Sequence, residues 1–166
     1  MAITATFRKQ SGTSKVFRNS GGDAAITLAS LANTNGTSTG GRQSVKLDFG
    51  ATRADMWRCK ATFEIAATPT AGAVIDIYLA PSESATAGTD NPGNCTGADA
   101  AYSGYSSNLD AALKHLFYVG SFVCTSQATA TVQAAFVSRF AMPARYGSLV
   151  VVNRSGAALH STETNQ

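Results

Sequence analysis

Charge is scarce in this sequence, and the groups that most often carry chemistry are scarcer still. Only 14% of the chain is Asp, Glu, Lys or Arg. Its two histidines, His115 and His160, lie far apart and outside any metal-ligand spacing. No GxSxG elbow accompanies the many serines, so a Ser–His–Asp site has no supporting motif. The three cysteines, Cys59, Cys95 and Cys124, form an odd set without a CxxC pair. Cys59 and Cys124 fall in apolar stretches, where a free thiol behaves as a small hydrophobe. A Cys59–Cys124 bridge stays open on the sequence alone. No apolar run approaches the roughly 20 residues that a bilayer-spanning helix needs, and the opening MAITATFRKQ lacks the apolar core of a secretory signal. These absences set the expectation of a non-enzymatic chain that folds in a reducing cytoplasm, with no metal, no cofactor and no membrane span.

What is abundant is small. Ala, Gly, Ser and Thr make up nearly half of the 166 residues, which suits strands, tight turns and close packing. The length fits one domain with a real core. The net charge of +3 is unevenly spread: residues 1–60 carry nine Lys/Arg against three Asp, and residues 61–166 carry four against seven acids. Arg8, Lys9, Lys15 and Arg18 have no acid among the first twenty residues. Residues 1–23, polar and broken by Gly12 and Gly21-Gly22, therefore read as an extended basic arm suited to an acidic partner. Nucleic acid is the less favoured partner, because the positive excess is small and the arm holds only Phe7 and Phe17 as aromatics.

Period-two alternation dominates the middle of the chain. In residues 55–67 (DMWRCKATFEIAA), Trp57, Cys59, Ala61, Phe63 and Ile65 alternate with Arg58, Lys60, Thr62 and Glu64, predicting a strand with one packed face. After a Pro/Gly turn, residues 73–80 place Ile75, Ile77 and Leu79 on one face, so the two stretches read as an antiparallel hairpin. Residues 43–49 alternate as well, with Val45, Leu47 and Phe49 inward. Residues 24–32 fit a strand or a short helix, and residues 33–41 a loop. Residues 116–124, 131–140 and 148–153 read as strands, with Val132, Ala134, Phe136 and Phe140 sharing a face, and residues 157–164 as a last short one. Asn108 is placed to cap a turn of helix over residues 108–114. About eight antiparallel strands, with no internal repeat, predict an all-β chain: an antiparallel β-sandwich of jelly-roll type over residues 24–166, behind the N-terminal arm.

Residues 81–108 form the longest irregular stretch, a length that is often functional. Asp90 and Asp99 offer carboxylates there, at a spacing too wide for a calcium loop, so turn formation explains them better. Tyr102 and Tyr105 read as interface anchors, or alternatively as a sugar-stacking platform. The Gly-rich segment 36–41 lacks the Lys of a phosphate loop. Asn35, Asn94 and Asn153 match the glycosylation pattern by chance in a Ser/Thr-rich chain.

Three segments carry a resemblance: residues 66–81 (AATPTAGAVIDIYLAP), residues 90–101 (DNPGNCTGADAA) and residues 144–160 (ARYGSLVVVNRSGAALH). They resemble a group of small virion structural proteins of tailed bacteriophages, in which an xRYxSLVVVNxSG segment lies near the C-terminus. The resemblance covers residues 60–160 and rests on structural rather than catalytic motifs. It implies a capsid decoration or cement protein on the virion surface that binds and stabilises the major capsid protein shell, as a homo-oligomer (dimer or trimer). The basic residues Arg8, Lys9, Lys15 and Arg18 would then be the capsid-binding set, with Asp90, Asp99, Tyr102 and Tyr105 as an interface or ligand loop. The alternative is a tail-associated or spike-like carbohydrate- or receptor-binding module.

Overall fold

The computed structural model describes residues 4–9, 13–34, 40–51, 56–127 and 131–162. Nearly all of its regular structure is β, in two antiparallel sheets. The first contains β1 (Thr4–Lys9), β2 (Ser14–Phe17), β5 (Met56–Glu64) and β9 (Val132–Ala141), in the order β2-β1-β5-β9. The second contains β3 (Gly41–Gln43), β6 (Val74–Ser82), β7 (Ala100–Ala101), β8 (Phe117–Val123) and β10 (Tyr146–Arg154), in the order β7-β3-β10-β6-β8, with β4 (Leu47–Asp48) also paired to β10. The α-helix among the described residues is one short piece, α1 (Leu109–Leu113), capped as expected by the Asn108 side chain, which accepts from the Ala111 N–H at 3.0 Å.

The sheets face each other across one apolar core. Phe7, Phe17, Trp57, Cys59 and Phe63 enter from the first sheet and its flanks, and Ile75, Ile77, Leu79, Phe122, Leu149 and Val151 from the second. Phe63 meets Phe122 edge-on across the gap, with ring centroids 5.0 Å apart. At the other end Phe7 contacts Phe17, Phe49 and Phe140. Such rings are worth about 1.5–3 kcal/mol each in burial. A second apolar cluster lies on the far side of the second sheet, where Tyr102, Leu109, Ala112, Leu113 and Leu116 cover Ala80, Val150 and Val152. The irregular stretch and α1 are therefore a lid on that sheet, and β6 and β10 are buried on both faces. Among the described residues nothing covers the outer side of the first sheet in this way.

Several expectations need correction. The stretches around β5 and β6 do not form a hairpin, since β5 lies in the first sheet and β6 in the second. Residues 65–73 cross between the sheets, held by Thr70 N–H to Ser155 O at 3.0 Å and Gly72 N–H to Cys124 O at 3.0 Å. Both strands have an apolar face, and those faces look at each other across the core instead of lying side by side. The N-terminal arm does not hold either: β1 pairs with β5 and with β2, and Phe7 and Phe17 are 0% exposed. Two buried phenylalanines at the right parity outweigh the polar, Gly-punctuated composition that suggested an arm.

In β9 the register slips opposite the Cys59/Lys60 step, so Val137 is the extra residue of a bulge. Phe140 then points inward while Phe136 points out, 62% exposed, and the two do not share a face. Gly120 lets β8 come up against this bulge, because a Cβ there would lie 2.7 Å from Val137 Cγ1. Val45 is exposed rather than inward, since the chain leaves the sheet between β3 and β4. Residues 24–32 form neither helix nor a continuous strand; Ile26 and Leu28 are buried from an irregular segment. The segment expected as a last strand contributes an isolated bridge, Leu159 to Ile65. Cys59, Cys95 and Cys124 are all free and buried, so no Cys59–Cys124 bridge exists. The centre of the 33–41 loop, the start of the 55–67 stretch and the end of the 157–164 stretch lie outside the described residues.

Candidate functional site

The outer face of the first sheet is a candidate contact surface, and its composition follows from strand parity. On β5 the inward set is Trp57, Cys59, Ala61 and Phe63, so Arg58 and Lys60 must point out. On β1 the inward Ala5 and Phe7 force Arg8 outward. On β9, the bulge resets parity so that both Phe136 and Arg139 face out.

Register then aligns these side chains. Arg8 is directly opposite Arg58, and Arg58 is directly opposite Arg139. Three arginines thus form a row across three neighbouring strands, roughly 10 Å from end to end at the usual strand spacing. Lys60 starts the next row, opposite Phe136 on one side and Thr6 on the other. All four cations are exposed. Among the described residues none of them forms an ion pair; the pairs present are Lys15–Asp23, Arg42–Asp99, Arg145–Asp48, Arg154–Asp76, Arg154–Asp110 and His160–Glu64. Like charges directly opposite one another across an antiparallel pair are destabilising. This face therefore holds a charge arrangement that costs the isolated fold stability and that salt or an anionic surface would relieve. Phe136 and the partly exposed Met56 add apolar area beside the arginines.

The residues singled out from the sequence are dispersed. Of the four basic residues expected in the arm, only Arg8 lies in the arginine row. Lys9 is on the opposite parity of β1, Lys15 pairs with Asp23 at 3.7 Å, and Arg18 donates to its own turn at Gly21 O at 2.6 Å. Asp99 is an internal brace: it accepts from Arg42 Nε at 2.7 Å, Thr27 N–H at 3.0 Å and the Thr27 hydroxyl at 2.5 Å. Burial pushes its carboxyl up, but these donors outweigh burial and hold it below the usual carboxylate range. Asp90 accepts the Glu83 N–H at 2.7 Å, which is turn formation. Tyr102 is 1% exposed and donates to Gly93 O at 2.5 Å, so it can be neither a sugar platform nor an interface anchor. Burial raises its phenol well above the ordinary tyrosine range. Tyr105 is partly exposed and edge-on to His115.

Arg58, Lys60, Arg139 and Phe136 escaped sequence reasoning as a set. The alternation over residues 55–67 does place Arg58 and Lys60 on one face. Nothing local indicates that β1 and β9 flank that strand, or that a bulge turns Phe136 outward. Burial pushes the Cys59 and Cys95 thiols up to about 12 and Cys124 to about 11, so these are packing groups rather than nucleophiles. Among the described residues no three His, Cys, Asp or Glu side chains come together as a metal site, and no helix is long and apolar enough to cross a membrane. Compared with known protein families, curated proteins and solved structures, the chain matches none.

Proposed function

We propose that this chain is a non-enzymatic structural protein of a tailed-phage virion, a decoration or cement protein that binds the outside of the major capsid shell and stabilises it. The observation that carries the reading is the Arg8–Arg58–Arg139 row with Lys60, without ion pairs among the described residues, on a sheet face that those residues leave bare. That face takes over the role first expected of an arm. Its partner is a carboxylate-rich protein surface, with Phe136 as the apolar contact inside the charged field.

Size supports action in many copies. Four strands at about 4.8 Å spacing and nine residues of β5 at about 3.3 Å give a face on the order of 600 Å². That falls below the roughly 800 Å² per partner of a standard stable interface. One copy would bind weakly, whereas a homo-oligomer on an assembled shell with regularly spaced acceptors would make several such contacts at once.

Two antiparallel sheets around one core support reading the fold as a jelly-roll sandwich with one strand pair replaced. In that reading β3-β10-β6-β8 in one sheet and β5-β9 in the other stand for the corresponding jelly-roll strands. Residues 83–116 take the remaining pair's place in the chain order but fold over the outer side of the second sheet, and the β1–β2 pair extends the first sheet.

The test is co-sedimentation of the purified chain with empty heads of the phage that encodes it. Saturable, salt-sensitive binding is expected, lost in the double variant Arg58→Glu/Arg139→Glu. Absence of wild-type binding to heads would overturn the reading.

A further inference from the structure

On the opposite side of the molecule, Asp76, Tyr78, Asp110, Leu113, Lys114 and Tyr118 line an open groove of about 380 Å³. It runs between the outer side of β6–β8 and the exposed side of α1. That volume lies at the lower end of small-molecule sites. Its most exposed wall is Tyr118, 51% exposed, whose ring lies 5.2 Å from that of Tyr78 at an interplanar angle of 55°. An exposed tyrosine is usually free to change rotamer, but this one is tethered. Its hydroxyl pairs with Ser121 Oγ at 2.5 Å, Ser121 donates to Asp76, and Asp76 accepts from Arg154 Nε at 3.1 Å. Arg154 in turn donates to Asp110 Oδ1 at 2.5 Å. The relay fixes an aromatic wall in advance of any ligand, which lowers the ordering cost of binding.

The groove's charges decide what kind of ligand it takes. Asp76 and Asp110 supply two negatives, and Arg154 and Lys114 two positives, so the formal sum is −2 + 2 = 0. A phosphate or a quaternary ammonium would find no net field. Polar capacity nevertheless remains. The second oxygen of Asp110 and the Tyr78 hydroxyl make no hydrogen bond among the described residues, and the Lys114 ammonium is exposed without an ion pair. A tilted pair of aromatic faces for C–H groups, ringed by unengaged donors and acceptors of both kinds, suits a ligand that is neutral overall, apolar on its ring faces and hydroxylated at its rim. The geometry points to a saccharide-binding site for a neutral hexose or N-acetylhexosamine, with Tyr118 as the stacking wall and Asp110, Lys114 and Tyr78 contacting hydroxyls. This site is independent of the basic face, so a copy docked through its arginines would present the groove outward.

The test is ligand-observed saturation-transfer NMR of the full chain, followed by titration. The panel is glucose, galactose, mannose, N-acetylglucosamine, N-acetylgalactosamine, maltose, lactose, cellobiose and chitobiose, with inorganic phosphate and tetramethylammonium as charged probes. At least one sugar is expected to saturate at millimolar concentration. Tyr118→Ala should weaken it by about tenfold or more, and Tyr105→Ala, outside the groove, should leave it unchanged. Tyr118 is half exposed, so its loss leaves no core cavity; an unchanged melting transition checks that the variant is folded. The proposal is overturned if no sugar saturates, if a charged probe binds more tightly than every sugar, if folded Tyr118→Ala binds as wild type does, or if Tyr105→Ala loses binding equally.

Discussion

Lys46 shows how one side chain can organise a loop. Its ammonium donates to Ser82 Oγ at 2.9 Å and to the carbonyls of Ser84, Thr86 and Thr89 at 3.2, 2.8 and 2.7 Å. It occupies the centre of a cage of oxygens much as a bound cation would. Burial lowers its pKa, and the nearby Asp90 opposes that shift. Lys46→Met should leave those carbonyls with an apolar neighbour and cost about 2 kcal/mol, read by chemical denaturation, with amide exchange speeding up across residues 83–90 first. Asp99 and Asp48 give a pH dependence of definite sign. Both carboxyls are held below their ordinary range, Asp48 chiefly by the hydrogen bond from Arg145. A carboxyl with a lowered folded-state pKa contributes stability above the ordinary carboxylate pKa of about 4 and loses it as pH falls through the folded value. The melting temperature should therefore drop as pH goes from about 5 to about 3. Asp99→Asn should show a shallower drop than wild type over that window.

At the scale of elements, β1 and β2 are where composition misled most. Their loss should not spare the domain. Deleting residues 1–20 removes both strands of one flank of the first sheet and uncovers the side of the core that holds Trp57 and Phe140. The truncated chain should show no cooperative thermal transition, whereas a chain with a dispensable arm would melt like wild type. The arginine row predicts a trade between stability and binding. Arg58→Glu places a carboxylate between Arg8 and Arg139. Turning two repulsive cross-strand pairs into attractive ones, at about 0.2–1 kcal/mol each, should raise the melting temperature by about 1–8 °C while abolishing attachment to an acidic surface. A variant that melts lower would show that the row is not repulsive in the free protein.

The whole molecule is asymmetric in its layers. Lid, second sheet, core and first sheet follow one another, and among the described residues no further layer lies beyond the first sheet. On the lid side Arg42, Arg154 and Lys46 are all engaged, while Lys114 has no ion pair among the described residues; the bare side carries the Arg8–Arg58–Arg139 row and Lys60. Attachment through the bare side is electrostatic and should weaken steeply as salt rises from about 50 mM to about 500 mM, where the screening length falls from about 14 to about 4 Å. For a homo-oligomer it should also be far tighter on assembled shells than on isolated shell subunits, because each oligomer then engages several acceptors at once. Equal affinity for the two would argue against a cement role.

Residue patterning determined a good deal by itself. The 3.3 Å rise and two-residue repeat of a strand are local, so alternation in residues 55–67 and the continuous apolar run at 148–153 were enough to identify β5 and β10 and to put Trp57, Phe63 and Val151 inside. Asn108 as a helix cap is local too. Which strands neighbour each other depends on contacts between distant residues, and no local signal encodes it. That is why β5 and β6 looked like a hairpin when they lie in opposite sheets, and why residues 81–108 looked like a ligand loop when they are the lid that buries Tyr102. The candidate site is the extreme case. Arg8, Arg58 and Arg139 are separated by 50 and 81 residues in the chain, and the row exists only because antiparallel registry brings them opposite one another. Outward parity on β5 was in the sequence; the bulge that resets β9, and with it the place of Phe136, exists only in the pairing of β9 with β5, where Gly120 of β8 leaves room for Val137.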